Sequence, residues 1–125
     1  MIKSIVFAFL ICLLLASCYQ PERDCNSYKT GSFLFNYEVG DSTKTAKFIR
    51  GNEFSVDYYD GKIDSAKIRW FNDCEFVLKD IHSKTAIHYK IISTTDSSYT
   101  FSYKKAVKDP NKELIVKTAT AYKTN

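Results

Sequence analysis

The sequence has little that would mark a large or multi-domain protein, and it has no apolar run long enough to cross a bilayer. Its 125 residues contain no internal repeat, no low-complexity tract and no shift in composition, which predicts one domain. The longest apolar run, Ile5–Leu15, falls short of the about 20 residues that a transmembrane helix needs. Charge of one sign is not dominant either, because 18 basic residues face 14 acidic ones. The lysines are spread along the chain, so we expect a solvated surface and no nucleic-acid partner.

The N-terminus has the pattern of an export signal. Lys3 precedes the apolar run, and small residues follow it. The segment Leu15-Ala16-Ser17-Cys18 resembles the lipobox of bacterial lipoprotein precursors at all four positions. That resemblance implies that residues 1–17 are removed and that Cys18 is acylated, with an ordinary secretory signal as the alternative. A diacylglycerol, usually with a third chain, anchors a protein stably, so we expect the mature chain to be held on a membrane.

The residues after Cys18 bear on location and on domain boundaries. Tyr19 follows the cysteine directly, and no Asp stands there to act as the inner-membrane retention signal known from some Gram-negative lipoproteins. We therefore expect an outer-membrane lipoprotein of the cell envelope that faces the periplasm. Residues 18–28 form the lipidated start and a short polar linker, and residues 29–125 form the domain.

Two cysteines are left once Cys12 is removed with the signal and Cys18 is acylated. In an oxidising compartment the remaining pair, Cys25 and Cys74, predicts a disulfide. Two reduced buried thiols or a metal site are the alternatives, and two cysteines without paired histidines make a poor metal site. Closing a loop of this length contributes about 4 kcal/mol.

From Gly31 onward apolar residues alternate with period two, and aromatic and β-branched residues are abundant. This pattern predicts an all-β domain of about eight short strands with their apolar faces gathered into one core. The predicted faces are Phe33, Phe35, Tyr37 and Val39; Ala46 and Phe48; Phe54, Val56 and Tyr58; Ala66, Ile68 and Trp70; Phe76 and Leu78; Ile87, Tyr89 and Ile91; Tyr99, Phe101 and Tyr103; and Leu114, Val116 and Tyr122.

Turn residues separate these runs at short intervals. Asp60-Gly61 is the strongest hairpin signal, and further turns are predicted at Asn72-Asp73, at Asp96-Ser97 and at 109–111, before the last strand. Residues 81–86 form either a loop or a single helical turn. Tight turns imply an antiparallel meander, and closure into an up-and-down barrel is favoured because it removes exposed edges. An open sandwich of two sheets is the alternative.

Two family resemblances follow from these residues. Gly31-Ser32-Phe33, Trp70 and eight meandering strands make the chain similar to a small lipocalin-like barrel, although lipocalins usually have Trp in place of Phe33 and a terminal helix. The chain also resembles a group of short bacterial lipoproteins that share the lipobox, a start like Tyr19–Arg23 and a segment like Ile68–Glu75. Some of that group carry the name DNA topoisomerase IV. Such an enzyme needs an ATPase domain, a nucleophilic tyrosine and access to DNA, which an exported chain of 125 residues does not offer.

Candidate catalytic motifs are weak. Ser102 and Lys105 match the Ser-x-x-Lys pattern of penicillin-binding enzymes, which needs a helix, whereas positions three apart on a strand point to opposite faces. Cys74 with His82 or His88 would be a thiol nucleophile and its base, but Cys25 competes for that thiol. We predict no catalytic residue and no cofactor.

Candidate metal ligands are equally sparse. His82 and His88 lack a third ligand at a familiar spacing, and we expect both at the surface. Asp57, Asp60 and Asp64 surround a glycine, yet their spacing departs from a calcium loop. A hairpin turn with solubilising charges is the expected role, and no metal is predicted.

Five aromatic residues could either line a pocket or fill the core. The interior of an eight-stranded barrel is just wide enough for its own side chains, so we expect a filled core. We predict a non-enzymatic module that binds another envelope protein, in the manner of an inhibitor; the alternative is a carrier of a small apolar ligand in the barrel. The five residues are Trp70, Tyr89, Tyr99, Phe101 and Tyr103.

Overall fold

The computed structural model describes residues 2–15, 23–107 and 110–124. Helix α1 spans Ile2–Leu15, and one turn of 3-10 helix spans Asn26–Tyr28. Neither of these described helices is long and apolar enough to cross a membrane. Cys18, predicted to be lipidated, lies outside the described residues. The strands are β1 Gly31–Val39, β2 Ser42–Arg50, β3 Phe54–Tyr59, β4 Lys62–Asn72, β5 Glu75–Asp80, β6 Ala86–Thr94, β7 Ser98–Lys105 and β8 Lys117–Lys123.

The eight strands form a closed antiparallel barrel in chain order, with β8 paired back onto β1. This confirms the predicted up-and-down barrel and rules out the open sandwich. The turn at Asp60-Gly61 has two residues, both at positive φ (49° and 70°), between the paired Tyr59 and Lys62. A type I′ turn requires this conformation, and Gly adopts it without strain. Residues 81–85 form a loop rather than a helical turn.

The two ends of the barrel differ. At one end the segment Cys25–Tyr28, which we call the plug, packs into the barrel, and its Cys25 is bonded to Cys74 with the Cα atoms 5.3 Å apart. Tyr28 is 2% exposed, and its hydroxyl donates to the carbonyl of Thr95. The predicted disulfide is therefore present, and residues predicted as part of a linker belong to the core. We call the opposite end, where the β1–β2 and β3–β4 turns lie, the mouth.

Strand β3 presents the face opposite to the predicted one. Phe54 and Tyr58 are 47% and 40% exposed, whereas Ser55 is 2% exposed. The two-residue turn fixes the register so that Ser55 lies opposite Ala66 on β4. Because residues directly opposite each other share a face of the sheet, Ser55 points inward with Ala66. The predicted inward set Phe54, Val56 and Tyr58 was wrong for this reason.

Strand β8 also differs from its prediction. It begins at Lys117, so Leu114 and Val116 precede it and are exposed, as is Tyr122 on its outer face. Its inward residues are Ala119 and Ala121, which lie opposite Phe101 and Tyr99 of β7. Small side chains opposite large rings leave the rings room inside the barrel. Val39, at the end of β1, is likewise exposed. The predicted faces of the other strands supply most of the buried core: Phe33, Ala46, Phe48, Ile68, Phe76, Ile91, Tyr99 and Phe101.

Candidate functional site

The barrel encloses a cavity of about 130 Å³, which we call the inner chamber. A cavity of about 150 Å³ in another protein admits a benzene molecule, so the inner chamber has the size of a small ligand. The interior is therefore not completely filled, contrary to the expectation from strand number. Its walls are mostly aromatic: Phe35, Phe48, Arg50, Ser55, Asp57, Phe76, Leu78, Tyr89, Tyr99, Phe101 and Tyr103.

A second cavity of about 400 Å³, the outer chamber, lies toward the mouth. Five residues line both chambers, which places the two side by side along the barrel axis. The two chambers therefore share part of their wall. The shared residues are Phe35, Asp57, Leu78, Tyr89 and Tyr103.

Arg50 brings a positive charge to the inner chamber. It ends β2, is 4% exposed, and its guanidinium carbon lies 4.6 Å from the ring centroid of Phe76 and 5.2 Å from that of Phe48. Nη1 donates to the carbonyl of Tyr28 at 3.2 Å, and Nη2 donates to the hydroxyl of Tyr99. Among the described residues no carboxylate lies within 4.0 Å of it, and its Nε has no hydrogen-bond partner. Ring faces offset part of the cost of burying a cation.

Ser55 stands directly opposite Arg50 in the β2–β3 pairing. Side chains in such a pair leave Cβ atoms about 5 Å apart. The Ser55 hydroxyl is buried and has no hydrogen-bond partner among the described residues. A buried polar group without a partner costs about 1–3 kcal/mol, so two such groups on paired residues of the cavity lining are unusual for a purely structural core.

Acidic residues lie nearer the mouth. Asp57 follows one inward position along β3, opposite Asp64 of β4, and lines both chambers. Burial raises the pKa of Asp57 to about 6; Arg50 opposes this shift and Asp64 adds to it. Tyr59 donates a hydrogen bond to Asp64, and this bond is the main cause of the raised pKa of the Tyr59 hydroxyl. The inner end of the cavity is thus cationic and its mouth is acidic.

Four of the five predicted aromatic residues line the inner chamber. Tyr89, Tyr99, Phe101 and Tyr103 are contributed by β6 and β7, and burial raises the pKa of the Tyr89 and Tyr99 hydroxyls. Trp70 does not line this chamber. It packs on Phe76, with ring centroids 4.5 Å apart, and the ammonium of Lys29 lies 5.2 Å from its ring centroid. Trp70 is thus a core residue at the plug end.

The residues weighed for catalysis lie apart. Cys74 is bonded to Cys25, so it cannot act as a thiol nucleophile. Ser102 and Lys105 lie on opposite faces of β7, as strand alternation requires. His82 is exposed in the loop after β5, and His88 lies on β6 with its Nε2 3.5 Å from Glu75 Oε1.

The three aspartates weighed as a calcium loop do not converge. Asp60 is exposed in the turn, where it lies 3.2 Å from Lys44 Nζ, whereas Asp57 and Asp64 line the outer chamber. The solubilising role predicted for all three therefore fits Asp60 alone. Within residues 2–15, 23–107 and 110–124, no group of three or more His, Cys, Asp or Glu side chains is arranged to hold a metal ion.

Sequence reasoning missed the polar part of the cavity wall. Arg50 and Ser55 belong to no motif, and Asp57 was interpreted as a surface charge. A signal was present in the two-residue turn, because its register places Ser55 and Asp57 on the face of β4 that carries Ala66. No protein-family model matches this chain, and no curated protein is significantly similar to it.

Proposed function

We propose that this chain is a lipid-anchored protein of the outer membrane whose barrel binds a small amphipathic molecule without transforming it. One observation carries the proposal: an aromatic cavity is lined at its inner end by Arg50 and Ser55, a buried cation and a buried hydroxyl, and each has a polar atom without a hydrogen-bond partner in the part of the chain that the structure describes. Small-molecule sites are mostly apolar with a few convergent polar groups. A core built for packing alone would avoid a buried guanidinium, because charge is costly to desolvate.

Binding follows from the arrangement of the two chambers. The apolar body of the ligand displaces water from the aromatic wall, and each buried CH₂ group contributes about 0.8 kcal/mol. The polar end reaches Arg50 and Ser55, which are already fixed by packing and by strand pairing. A preorganised site reduces the entropic cost of binding. The disulfide of Cys74 supports a role in binding rather than in catalysis, since it removes the candidate nucleophile.

Native mass spectrometry of the full chain extracted from its membrane tests the cavity. We expect one small molecule per protein, absent from Leu78→Phe, which places a larger side chain in the wall shared by both chambers, and retained in Val77→Phe, a change at the adjacent, outward-facing position of β5. Wild-type protein that carries no added mass in repeated preparations would contradict the proposal. So would an adduct that Leu78→Phe leaves unchanged.

The lipid anchor is supported by the four-residue lipobox that ends at Cys18. Only residues 19–22 separate Cys18 from Arg23, which donates to the carbonyl of Ile91 at 2.8 Å at the plug end. The five Cα–Cα steps from Cys18 to Arg23 span at most about 18 Å, so an acylated Cys18 would hold the plug end close to the membrane and leave the mouth directed away from it. Metabolic labelling with palmitate tests this part. Cys18→Ser should lose the label and Cys12→Ser should keep it, and a labelled Cys18→Ser variant would rule out the anchor.

A second candidate function, binding of another envelope protein, is favoured by the outer wall. Strand pairing aligns Tyr122, Leu34, Lys47, Tyr58 and Ile63 in one row across five strands. The four apolar members are each at least 36% exposed and form two adjacent pairs, one on each side of Lys47. Exposed apolar patches rimmed by polar residues mark interaction sites. Crosslinking in intact cells should trap one partner with wild type, and Tyr58→Glu should abolish the crosslink. Repeated recovery of the protein alone would count against this function.

A further inference from the structure

We propose that the ligand is a small carboxylate with a compact apolar body, held by its carboxylate at the paired Arg50 and Ser55. This inference rests on the proposed function and goes further by naming the charge and chemical group of the ligand. It is drawn from two residues that line the inner chamber: Arg50, whose buried guanidinium has no ion-pair partner among the described residues, and Ser55, whose buried hydroxyl has no hydrogen-bond partner among them.

The hydrogen-bonding capacity of these atoms selects an acceptor. Arg50 Nε can only donate, and the Ser55 hydroxyl can donate as well. Both atoms are buried, and both residues line the inner chamber. A carboxylate offers two oxygens with four lone-pair directions, enough for both donors at once. Its planar shape also matches one edge of a guanidinium.

The charge of the inner end selects an anion. Arg50 has no carboxylate within 4.0 Å among the described residues, and its Nη atoms donate to neutral oxygens of Tyr28 and Tyr99. A cationic ligand group would be repelled by Arg50, and a neutral one would leave Arg50 with only the more distant charge of Asp57 in the same chamber. A carboxylate satisfies the donors and supplies the counter-charge together.

The walls define the rest of the molecule. Phe35, Leu78 and Tyr103 line both chambers on the way to the mouth, so the atoms beyond the carboxylate meet apolar surface. An inner chamber of about 130 Å³ accepts a ring or a short chain, and the outer chamber accepts what extends beyond it. A phenyl ring on a short alkyl acid has these dimensions.

Asp57 distinguishes a simple anion from a zwitterion. It lies one inward position from Ser55. The charged and titratable groups around it are Arg50, Tyr59, Asp64, Asp80, Tyr89, Tyr99 and Tyr103. A ligand carboxylate is repelled by ionised Asp57 and not by protonated Asp57. The affinity of the protein for the ligand should therefore rise as the pH falls from 7.5 to 5.5. A ligand with an ammonium group on Asp57 would show the opposite trend.

Calorimetry on the full chain in zwitterionic lipid nanodiscs tests the inference with two matched probes, 3-phenylpropionate and 3-phenylpropionamide. They share one body and differ in charge. Charged hydrogen bonds are about twice as strong as neutral ones, so we expect the acid to bind at least about tenfold more tightly than the amide at pH 6. Empty nanodiscs correct for partition into lipid.

Substitutions in the inner chamber test which residues cause the preference for the acid over the amide. Arg50→Gln should bring the acid-to-amide ratio to about one. Because that change alters a buried residue that supports the plug, Ser55→Ala provides a milder test, with the preference reduced about fivefold. Val56→Ala, on the outer face of the same strand, should leave the ratio unchanged.

Equal affinity for the acid and the amide would overturn the inference and leave the cavity function standing, provided that Leu78→Phe abolishes both. An affinity for the acid that falls with falling pH would overturn it in favour of a zwitterion. If neither probe binds while native mass spectrometry shows a bound molecule, the inference is also wrong and the function stands. The proposed function itself is contradicted by a different result, which is wild-type protein that carries no added mass in native mass spectrometry.

Discussion

Removing the disulfide should cost the barrel a large part of its stability. The bond joins Cys25 of the plug to Cys74, 49 residues apart in sequence. In the chain-entropy model, closing a loop of that length lowers the entropy of the unfolded chain enough to contribute about 4 kcal/mol at 25 °C. We expect Cys25→Ala with Cys74→Ala to lower the free energy of unfolding by about this amount. With a urea m-value of about 2 kcal/mol/M, the midpoint should fall by about 2 M.

Trp70 provides the assay. It is the single tryptophan of the chain and is half-buried. Like Cys74, it packs against the core cluster that includes Cys25. Its fluorescence therefore follows unfolding of the plug end in urea. Wild type under reductant should reproduce the double variant, and reductant should not alter the variant itself. A midpoint change below about 0.5 M, equivalent to about 1 kcal/mol, would refute the reasoning that the bond acts through the unfolded chain.

Three further substitutions test the interior by urea unfolding of protein without added ligand. Ser55→Ala should raise the free energy of unfolding by about 1 kcal/mol, because it removes a buried hydroxyl without a partner; a loss would contradict this. The raised pKa of Asp57, about 6 when folded against 3.8 as the reference, means that its ionisation opposes folding, so stability should increase as the pH falls from about 6 to about 4. Asp57→Asn should therefore gain about 3 kcal/mol at pH 7.5 and little at pH 4, whereas Asp41→Asn in an exposed turn should change neither value. Tyr28→Ala should lose about 3–5 kcal/mol, because it empties the space beside Phe33 and Tyr99; a loss under about 1 kcal/mol would show that the plug adds little.

The eight strands and their closure could be predicted because alternation and turn chemistry are local. Tyr99, Phe101 and Tyr103 alternate in one run and point inward together, and Asp60-Gly61 forms the expected hairpin turn. Paired strands without free edges are then the stable arrangement. The bond between Cys25 and Cys74 could be predicted for a different reason, because no other pair of cysteines is left once Cys12 is removed and Cys18 is acylated.

The prediction of which face of β3 points inward was wrong, because it placed the apolar residues of each strand inward without regard to the neighbouring strands. The predicted turn and the predicted face of Ala66, Ile68 and Trp70 together already require Ser55 and Asp57 to point inward, since paired residues share a face. The pairing register between neighbouring strands therefore decides which residues of β3 point inward, even where those residues are polar. A prediction that followed the register from β4 to β3 would have placed a polar patch inside the barrel and an apolar surface outside it.

The plug and the cavity could not be predicted in this way. Tyr28 follows a polar stretch that has neither helical nor strand periodicity, and only tertiary packing makes it a core residue. The cavity depends on how large and small side chains are distributed around the barrel, for example Ala121 between Phe35 and Tyr99. Strand number limits the width of the barrel, but the packing of individual side chains decides what stays open.

Nuclear Overhauser effects between 3-phenylpropionate and the methyl-labelled full chain in nanodiscs will distinguish a ligand inside the barrel from one on its outer wall. For a ligand inside the barrel we expect contacts from the phenyl ring to the methyl groups of Leu78, a residue that lines both chambers, and loss of these contacts in Arg50→Gln. Contacts confined to Leu34 and Ile49, which are exposed on the outer wall, would show that the barrel interior is not the binding site.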